Sequence, residues 1–214
     1  MKSLKIPKIP GLEKLDAEKL THILEHSGAH DSITNAPWEN VFPDRPQVRF
    51  FMATSERFLF VRFNVQGNGL KAEFKNTNDP VWQDSCVEFF VEDADGNGYR
   101  NFEINCIGTI LSAHQIKKDV GTCHISENEA GEIIRFASLG EAAFEEKEGF
   151  FEWSVTIGIP WSLLGYETTP QSIRANLYKC ADGTRRPHYL CWAPIDLPTP
   201  NFHCPEFFGT LTFE

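Results

Sequence analysis

Residues 84–105 read DSCVEFFVEDADGNGYRNFEIN. Val87, Phe89 and Val91 alternate with other residues in the first half, and Phe102 and Ile104 do so in the second. A period of two is the mark of a strand, whose successive side chains point to opposite faces. Between the halves, DADGNG (93–98) has turn composition, because Gly and Asn accept the positive φ of tight hairpin loops. The stretch therefore reads as a β-hairpin with one apolar face. The two apolar sets share that face only if paired positions sum to an odd number, since a one-residue slip flips every side chain. Pairing Glu92 with Tyr99 meets the condition. Phe89 then lies against Phe102, Val87 against Ile104, and Glu88 directly opposite Glu103.

Slipping by one permitted step sets Glu88 opposite Asn101 or Asn105, with Glu103 still diagonal. Like charges opposed across a sheet are destabilising. Something must compensate: a cation, a Lys or Arg, a shared proton, or a ligand rich in hydroxyls.

Period-two segments continue on both sides of the hairpin. QVRFFMAT (47–54) and RFLFVRFNV (57–65) precede it, with SER (55–57) as a turn and QGNG (66–69) as a break. GTILSAH (108–114), GEIIRFAS (131–138) and GFFEWSVTIGI (149–159) follow, then SIRANLYKC (172–180), PHYLCWAP (187–194) and GTLTFE (209–214). PWSLLG (160–165) has Pro at its start and Gly at its end, the signature of about one helical turn. About ten short strands with frequent Gly and Pro predict an all-β fold, an antiparallel β-sandwich with jelly-roll-like or immunoglobulin-like layering. One helix is predicted, over 12–26, with Asp16 as N-cap and Gly28 as stop. The expected organisation is a single sandwich over 37–214, with residues 1–36 as an N-terminal extension packed on it.

Composition narrows the function. A formal charge of −10 in 214 residues disfavours nucleic acid or an anionic membrane as partner. The one basic cluster, GTRRPH (183–188), reads as a solvated turn. No stretch approaches the roughly 20 apolar residues that span a bilayer. The start, MKSLKIPKIPGLEKL, lacks the apolar region of a signal peptide, so the default expectation is a cytoplasmic protein, or a secreted one whose leader has been removed. The six cysteines show no zinc-like spacing and are expected to be free and mostly buried. His22 and His26, four apart on the helix, read as surface residues without a third ligand.

Three chemistries compete for the acidic hairpin. Paired carboxylates catalyse glycoside hydrolysis when about 5 to 9.5 Å apart. Asp84 and Glu88, separated by roughly 13 Å of strand, are too far apart, while Glu88 and Glu103 meet the distance. Both would project from one sheet surface, however, rather than flank a bond. Calcium is the second reading: Asp93, Asp95 and Asn97 match the first half of an EF-hand loop, but Ile104 stands where the terminal Glu should be. The third is polyol recognition, with carboxylates and amides binding hydroxyls in pairs and an aromatic packing on the sugar's C–H face. Trp82, just before the strand that bears Glu88, is placed for that platform.

VWQDSCVEFFVE…GYRNFEINCIGTIL (81–111) resembles the signature region of carbohydrate-binding module family 9 and its family-9-like relatives. NLYKCADGTRRPHYLCWAPIDLPTPNFHCPEFFGTLTF (176–213) resembles their closing segment. The resemblance implies a β-sandwich that binds oligo- or polysaccharides without cleaving them and is often attached to polysaccharide-degrading enzymes. It further implies a sugar held between two tryptophans, polar contacts from neighbouring strands, and structural calcium. On this sequence it assigns Trp82 and Glu88 to the site, with Asn101, Glu103 and Asn105 as supporting contacts. The second aromatic is Trp192 or, nearer the chain's end, Phe202 or His203. A related sandwich superfamily includes haem-binding electron carriers, for which Met52 and His114 would be the axial candidates.

Overall fold

The computed structural model describes residues 2–118 and 120–214. In its first half the chain forms β1 (Ser3–Ile6), α1 (Ala17–Ser27), β2 (Ala29–Ser32), β3 (Gln47–Thr54), β4 (Phe58–Ala72), β5 (Cys86–Glu92) and β6 (Tyr99–Asn105). Next come β7 (Ile110–Gln115), β8 (Cys123–His124), α2 (Glu127–Glu132), β9 (Ile134–Ala137) and β10 (Phe144–Pro160). The chain closes with β11 (Ser172–Cys180), β12 (Tyr189–Cys191) and β13 (Gly209–Phe213). These strands make two sheets, as the alternation predicts. The larger runs β1-β13-β11-β5-β6-β7-β8, with β12 also on β11; the smaller runs β2-β3-β4-β10-β9. Val87, Phe89, Phe102, Ile104 and Leu177 of the larger sheet pack against Phe50, Val61, Phe63 and Val155 of the smaller in one continuous core. Among the described residues, no helix is long and apolar enough to cross a membrane.

The predicted hairpin has the predicted register: Glu92 pairs with Tyr99, Phe89 with Phe102, Val87 with Ile104 and Glu88 with Glu103. α1 is capped as expected, Asp16 accepting from the Lys19 N–H, and it buries Leu20 and Leu24. Residues 1–36 are more than an extension, however. β1 adds a parallel strand to β13 of the larger sheet, and β2 pairs with β3 of the smaller, so the N-terminal segment is woven into both layers. The QGNG stretch does not break its strand either. β4 runs through it because β10 pairs alongside, absorbing the irregularity as register shifts between Phe144 and Phe150.

Trp192 is a core residue, not a ligand platform. It is fully buried, sets its edge against Phe50, and donates its indole N–H to Asp31 at 2.9 Å. The basic turn is solvated, as expected, and its charges are paired at the surface: Arg185 with Glu148 at 3.0 Å, and Arg186 with Asp44 at 3.5 Å. Met52 is fully buried in the core of the smaller sheet, whereas His114 lies on β7 of the larger, bonded to Asp93, so the two do not face a common haem.

The segment that brings Trp82 to the larger sheet is fixed by one buried carboxylate. Asp84 accepts from the backbone N–H groups of Glu73 (3.0 Å) and Phe74 (3.1 Å) and from the Asn105 amide (3.0 Å). Asp84→Ala would strand those donors, each worth more when its acceptor is charged. The expected loss of stability is about 3 kcal/mol, read from urea unfolding midpoints; a loss below ~1 kcal/mol would show that the carboxylate does not hold this turn.

Candidate functional site

The face of the larger sheet turned away from the core carries Cys86, Glu88 and Phe90 on β5, Asn101 and Glu103 on β6, and Tyr178 and Cys180 on β11. Strand parity puts them there: Cys86 pairs with Cys180 and Glu88 with Tyr178, both across β5 and β11. This face is covered, not flat. The segment after β12 folds back over it, and Phe202 stacks on Tyr178 with ring centroids 4.1 Å apart and planes 5° from parallel. Trp38 leans on Phe202 and Tyr189 and donates its indole N–H to the Leu197 carbonyl, fastening the cover. Where the cover stops, a cavity of about 540 Å³ remains. Glu88, Glu103, Asn101 and Cys180 line it, with Asp182, Gln115 and His124 among the other polar groups, and Trp82, Tyr189, Phe202 and His203 supply rings.

The two acids on this floor are almost wholly buried. Glu88 accepts from the Cys180 thiol at 2.9 Å. Burial raises its pKa well above the usual carboxylate range, the Glu103 charge and then Asp182 adding to the rise. Glu103 is pushed up to about 7, chiefly by burial and further by Asp182, against the lowering effect of the Asn101 amide. That amide donates to Glu103 Oε1 at 2.9 Å. Glu103 Oε2 is buried without a hydrogen-bond partner among the described residues. The compensation the sheet requires is therefore protonation, which burial favours at both acids, with one Glu103 carboxylate oxygen left unfilled beside the cavity.

The other expected site residues divide. Asn101, Phe202 and His203 line the cavity; Asn101 acts on it through Glu103 as well. Asn105 belongs to the adjoining turn. It donates to the Phe74 carbonyl and Asp84, and its own carbonyl oxygen accepts from the backbone of Ile107 and Thr109, so it has no share in the cavity. The acidic turn does not present its oxygens to one point. Asp93 faces His114 at 2.6 Å and Arg100 at 3.5 Å, and Asp95 accepts from the backbone and amide of Asn97. A carboxylate facing a guanidinium and an imidazole is a poor partner for a hard dication, so the donors of this turn do not fit calcium.

Sequence reasoning missed Tyr189, Cys180 and Asp182. Tyr189 pairs with Cys180, Leu190 with Lys179 and Cys191 with Tyr178, so odd positions of β12 share the cavity face and even ones the core. That parity was available, and it also points Trp192 inward. Asp182 follows Cys180 in a turn, where no periodicity marks it.

The family model described as carbohydrate-binding family 9 matches residues 18–213. A solved protein from Bacteroides uniformis, provisionally described as carbohydrate-binding, is 32% identical, with a TM-score of 0.92 over 100% of this chain and 99% of its own. Two structures of a family 9 module from Caldicellulosiruptor kristjanssonii share the fold at low identity. The one in complex with glucose is 10% identical with a TM-score of 0.57, covering 100% of this chain and 96% of its own. The one with cellotriose is 12% identical with a TM-score of 0.58, covering 100% and 94%. No curated protein sequence matches the chain.

The raised acid leaves a signature in stability. A carboxyl whose folded pKa lies above its unfolded value stabilises the fold at low pH, and that advantage is lost as pH rises from the unfolded value of 4.5 through the folded value of about 7. Glu103→Gln cannot ionise. Relative to the unchanged protein it should gain on the order of 2 kcal/mol between pH 5 and pH 8. Urea titrations of both proteins in a chelating buffer measure this; a difference independent of pH would mean that Glu103 ionises normally.

Proposed function

Because the chain belongs to carbohydrate-binding family 9, we propose that its cavity binds a saccharide, without cleaving it, on the Glu88–Glu103 floor. The observation that carries this reading is Glu103 Oε2, a buried carboxylate oxygen lacking a partner among the described residues, in a cavity lined with rings. A buried acceptor left unfilled is costly, and a sugar hydroxyl is the neutral donor that fills it without bringing a second charge. Protonated carboxyls suit hydroxyls especially well. Each donates through its O–H and keeps acceptor capacity, matching the two faces of an O–H group.

The ring-bearing wall supplies the remaining half of sugar recognition. Trp82, half-buried at the cavity margin, is the platform for the C–H face, and Tyr189 is the aromatic that stands in place of a second tryptophan. The volume lies within the range of small-molecule sites. Glucose and cellotriose, the ligands of the Caldicellulosiruptor module, set the size class to try first. A floor closed by sheet and a side closed by the 200–203 segment favour a terminal sugar over a chain running through. In a setting of polysaccharide breakdown, such a module would anchor its partner to glycan ends.

Catalysis by the same acids is disfavoured by their placement. Glu88 and Glu103 are cross-strand partners on one floor, so both meet a bound sugar from the same side instead of flanking a glycosidic bond.

A glycan array spanning gluco- and cello-oligosaccharides, run with and without EDTA, tests the reading. Trp82→Ala should keep its fold and lose at least tenfold in affinity, and Glu103→Ala should lose at least as much. Silence across the array, or affinity untouched by both changes, defeats the proposal. Release of reducing sugar would make the protein an enzyme instead.

A further inference from the structure

Beneath the cavity, the pairing of β5 with β11 assembles a second set of donors that the saccharide reading does not use as a set. Cys86 and Glu88 are two apart on β5 and so share its outward face; Cys180 is the direct partner of Cys86 on β11. Their three ligand atoms, two sulfurs and a carboxylate oxygen, all lie within 4.8 Å of one another. All three residues are buried, yet Glu88 and Cys180 border the cavity, which is therefore both the way in and an open coordination position.

We propose that Cys86, Cys180 and Glu88 form a binding site for one thiophilic divalent cation, Zn²⁺ being the reference ion, with a water or ligand hydroxyl from the cavity as fourth donor. A tetrahedral zinc with bonds of about 2.3 Å to sulfur and 2.0 Å to oxygen needs its ligands roughly 3.3 to 3.8 Å apart. The donors bracket that spacing: all three lie within 4.8 Å of one another, and the Cys180 sulfur sits 2.9 Å from Glu88 Oε1. Small side-chain rotations suffice, and the backbone pairing can stay as it is. Two sulfurs with one carboxylate select zinc or cadmium over magnesium and calcium, which take oxygen. Three protein donors and one open position is also the pattern of a zinc site that keeps an exchangeable ligand.

Binding is balanced by proton release. The cation replaces the protons of both thiols and of the Glu88 carboxyl, forming two metal–sulfur bonds and one metal–oxygen bond; the two thiol protons go to solvent and the carboxyl proton to Glu103 or to solvent. No oxidant or reductant is involved. Burial pushes the Cys86 thiol up to about 12, so thiolates arise on this floor together with the cation rather than before it. Glu88 is common to this site and to the proposed saccharide site, so cation and sugar affect each other's affinity by the same factor. The cation site itself stands on β5 and β11 and does not depend on the saccharide reading.

Co²⁺ is the probe, because a tetrahedral site with thiolates gives it intense visible bands and a near-ultraviolet sulfur-to-cobalt band. The protein is used as Cys123→Ser, removing its exposed thiol, in a phosphine reductant. One equivalent should bind with both features, and Zn²⁺ should displace it. Cys86→Ser and Cys180→Ser in that background should lose the sulfur band and weaken binding at least tenfold, and Glu88→Gln should weaken it while keeping the band. Absence of the sulfur band at one equivalent overturns the proposal, as does an unchanged band in Cys180→Ser. A Cys86–Cys180 disulfide that, once reduced, still takes up no cation overturns it too. If a serine variant fails to fold, the spectrum of the Cys123→Ser protein alone decides. Saccharide affinity measured in chelator reads the other site separately, so either proposal can fail without the other.

Discussion

The registration of β5 against β6 is the constraint from which the site follows. Phe89 and Phe102 stack across the two strands on the core side, centroids 6.4 Å apart and planes 25° from parallel. With those rings locked between the sheets, period-two geometry leaves Glu88 and Glu103 no choice but the opposite face, directly across from each other. A shift of β6 by one residue would turn Glu103 into the core beside Phe89 and expose the Phe102 ring. The hydrophobic register therefore imposes an electrostatic conflict, and everything above the sheet is arranged around that conflict.

Left in water, two opposed carboxylates would cost little, and the sheet would simply be solvated on that side. Here the segment from Ala193 to Phe208 covers the face instead, seated by the Tyr178–Phe202 stack and by Trp38. Burial at the edge of this cover raises the pKa of both acids and turns a mild repulsion into protonation. The cover closes over Phe90, Tyr178 and Cys191 but stops short of Glu88 and Glu103. That boundary between covered and uncovered floor is what makes a cavity, and its polar groups are the ones the cover could not satisfy.

How far the sequence reveals this depends on how each element is specified. The β5–β6 hairpin was legible down to its register, because both strands alternate over seven residues and the parity rule admits few pairings. β12 has only three residues, too few for its alternation to stand out, so Trp192 was a plausible platform and Tyr189 went unnoticed. β1 and β2, four residues each and without clear alternation, are strands only because longer neighbours, β13 and β3, offer them edges. α2 was missed despite a local signal, the Ser126–Glu129 capping box at its start. Asn105 has the same parity as Glu103, yet the 74–84 segment and the turn that follows take up its hydrogen-bonding capacity. Parity tells which face a side chain leaves from; it does not say what that face will be used for.

The sheet also carries a buried charge on its other side. Lys179, next to Cys180 on β11, points into the core, donates to the Cys180 carbonyl at 2.6 Å and to His188 Nε2 at 2.9 Å, and lies 6.0 Å from the Trp153 ring centre. Burial and the nearby Lys179 charge hold His188 well below its ordinary pKa. Its Nδ1–H then donates to the Arg186 carbonyl at 2.8 Å, leaving Nε2 free to accept from the amine. Only the thickness of one backbone layer separates this amine from Glu88, whose rise it lowers, though less than burial and Glu103 raise it. Burial, with Glu103 and Asp182 nearby, therefore raises Glu88, and the buried lysine behind the sheet only tempers that rise. At Glu103 burial and Asp182 do the raising, so the acids of the floor are governed from their own side of the sheet and not from behind it.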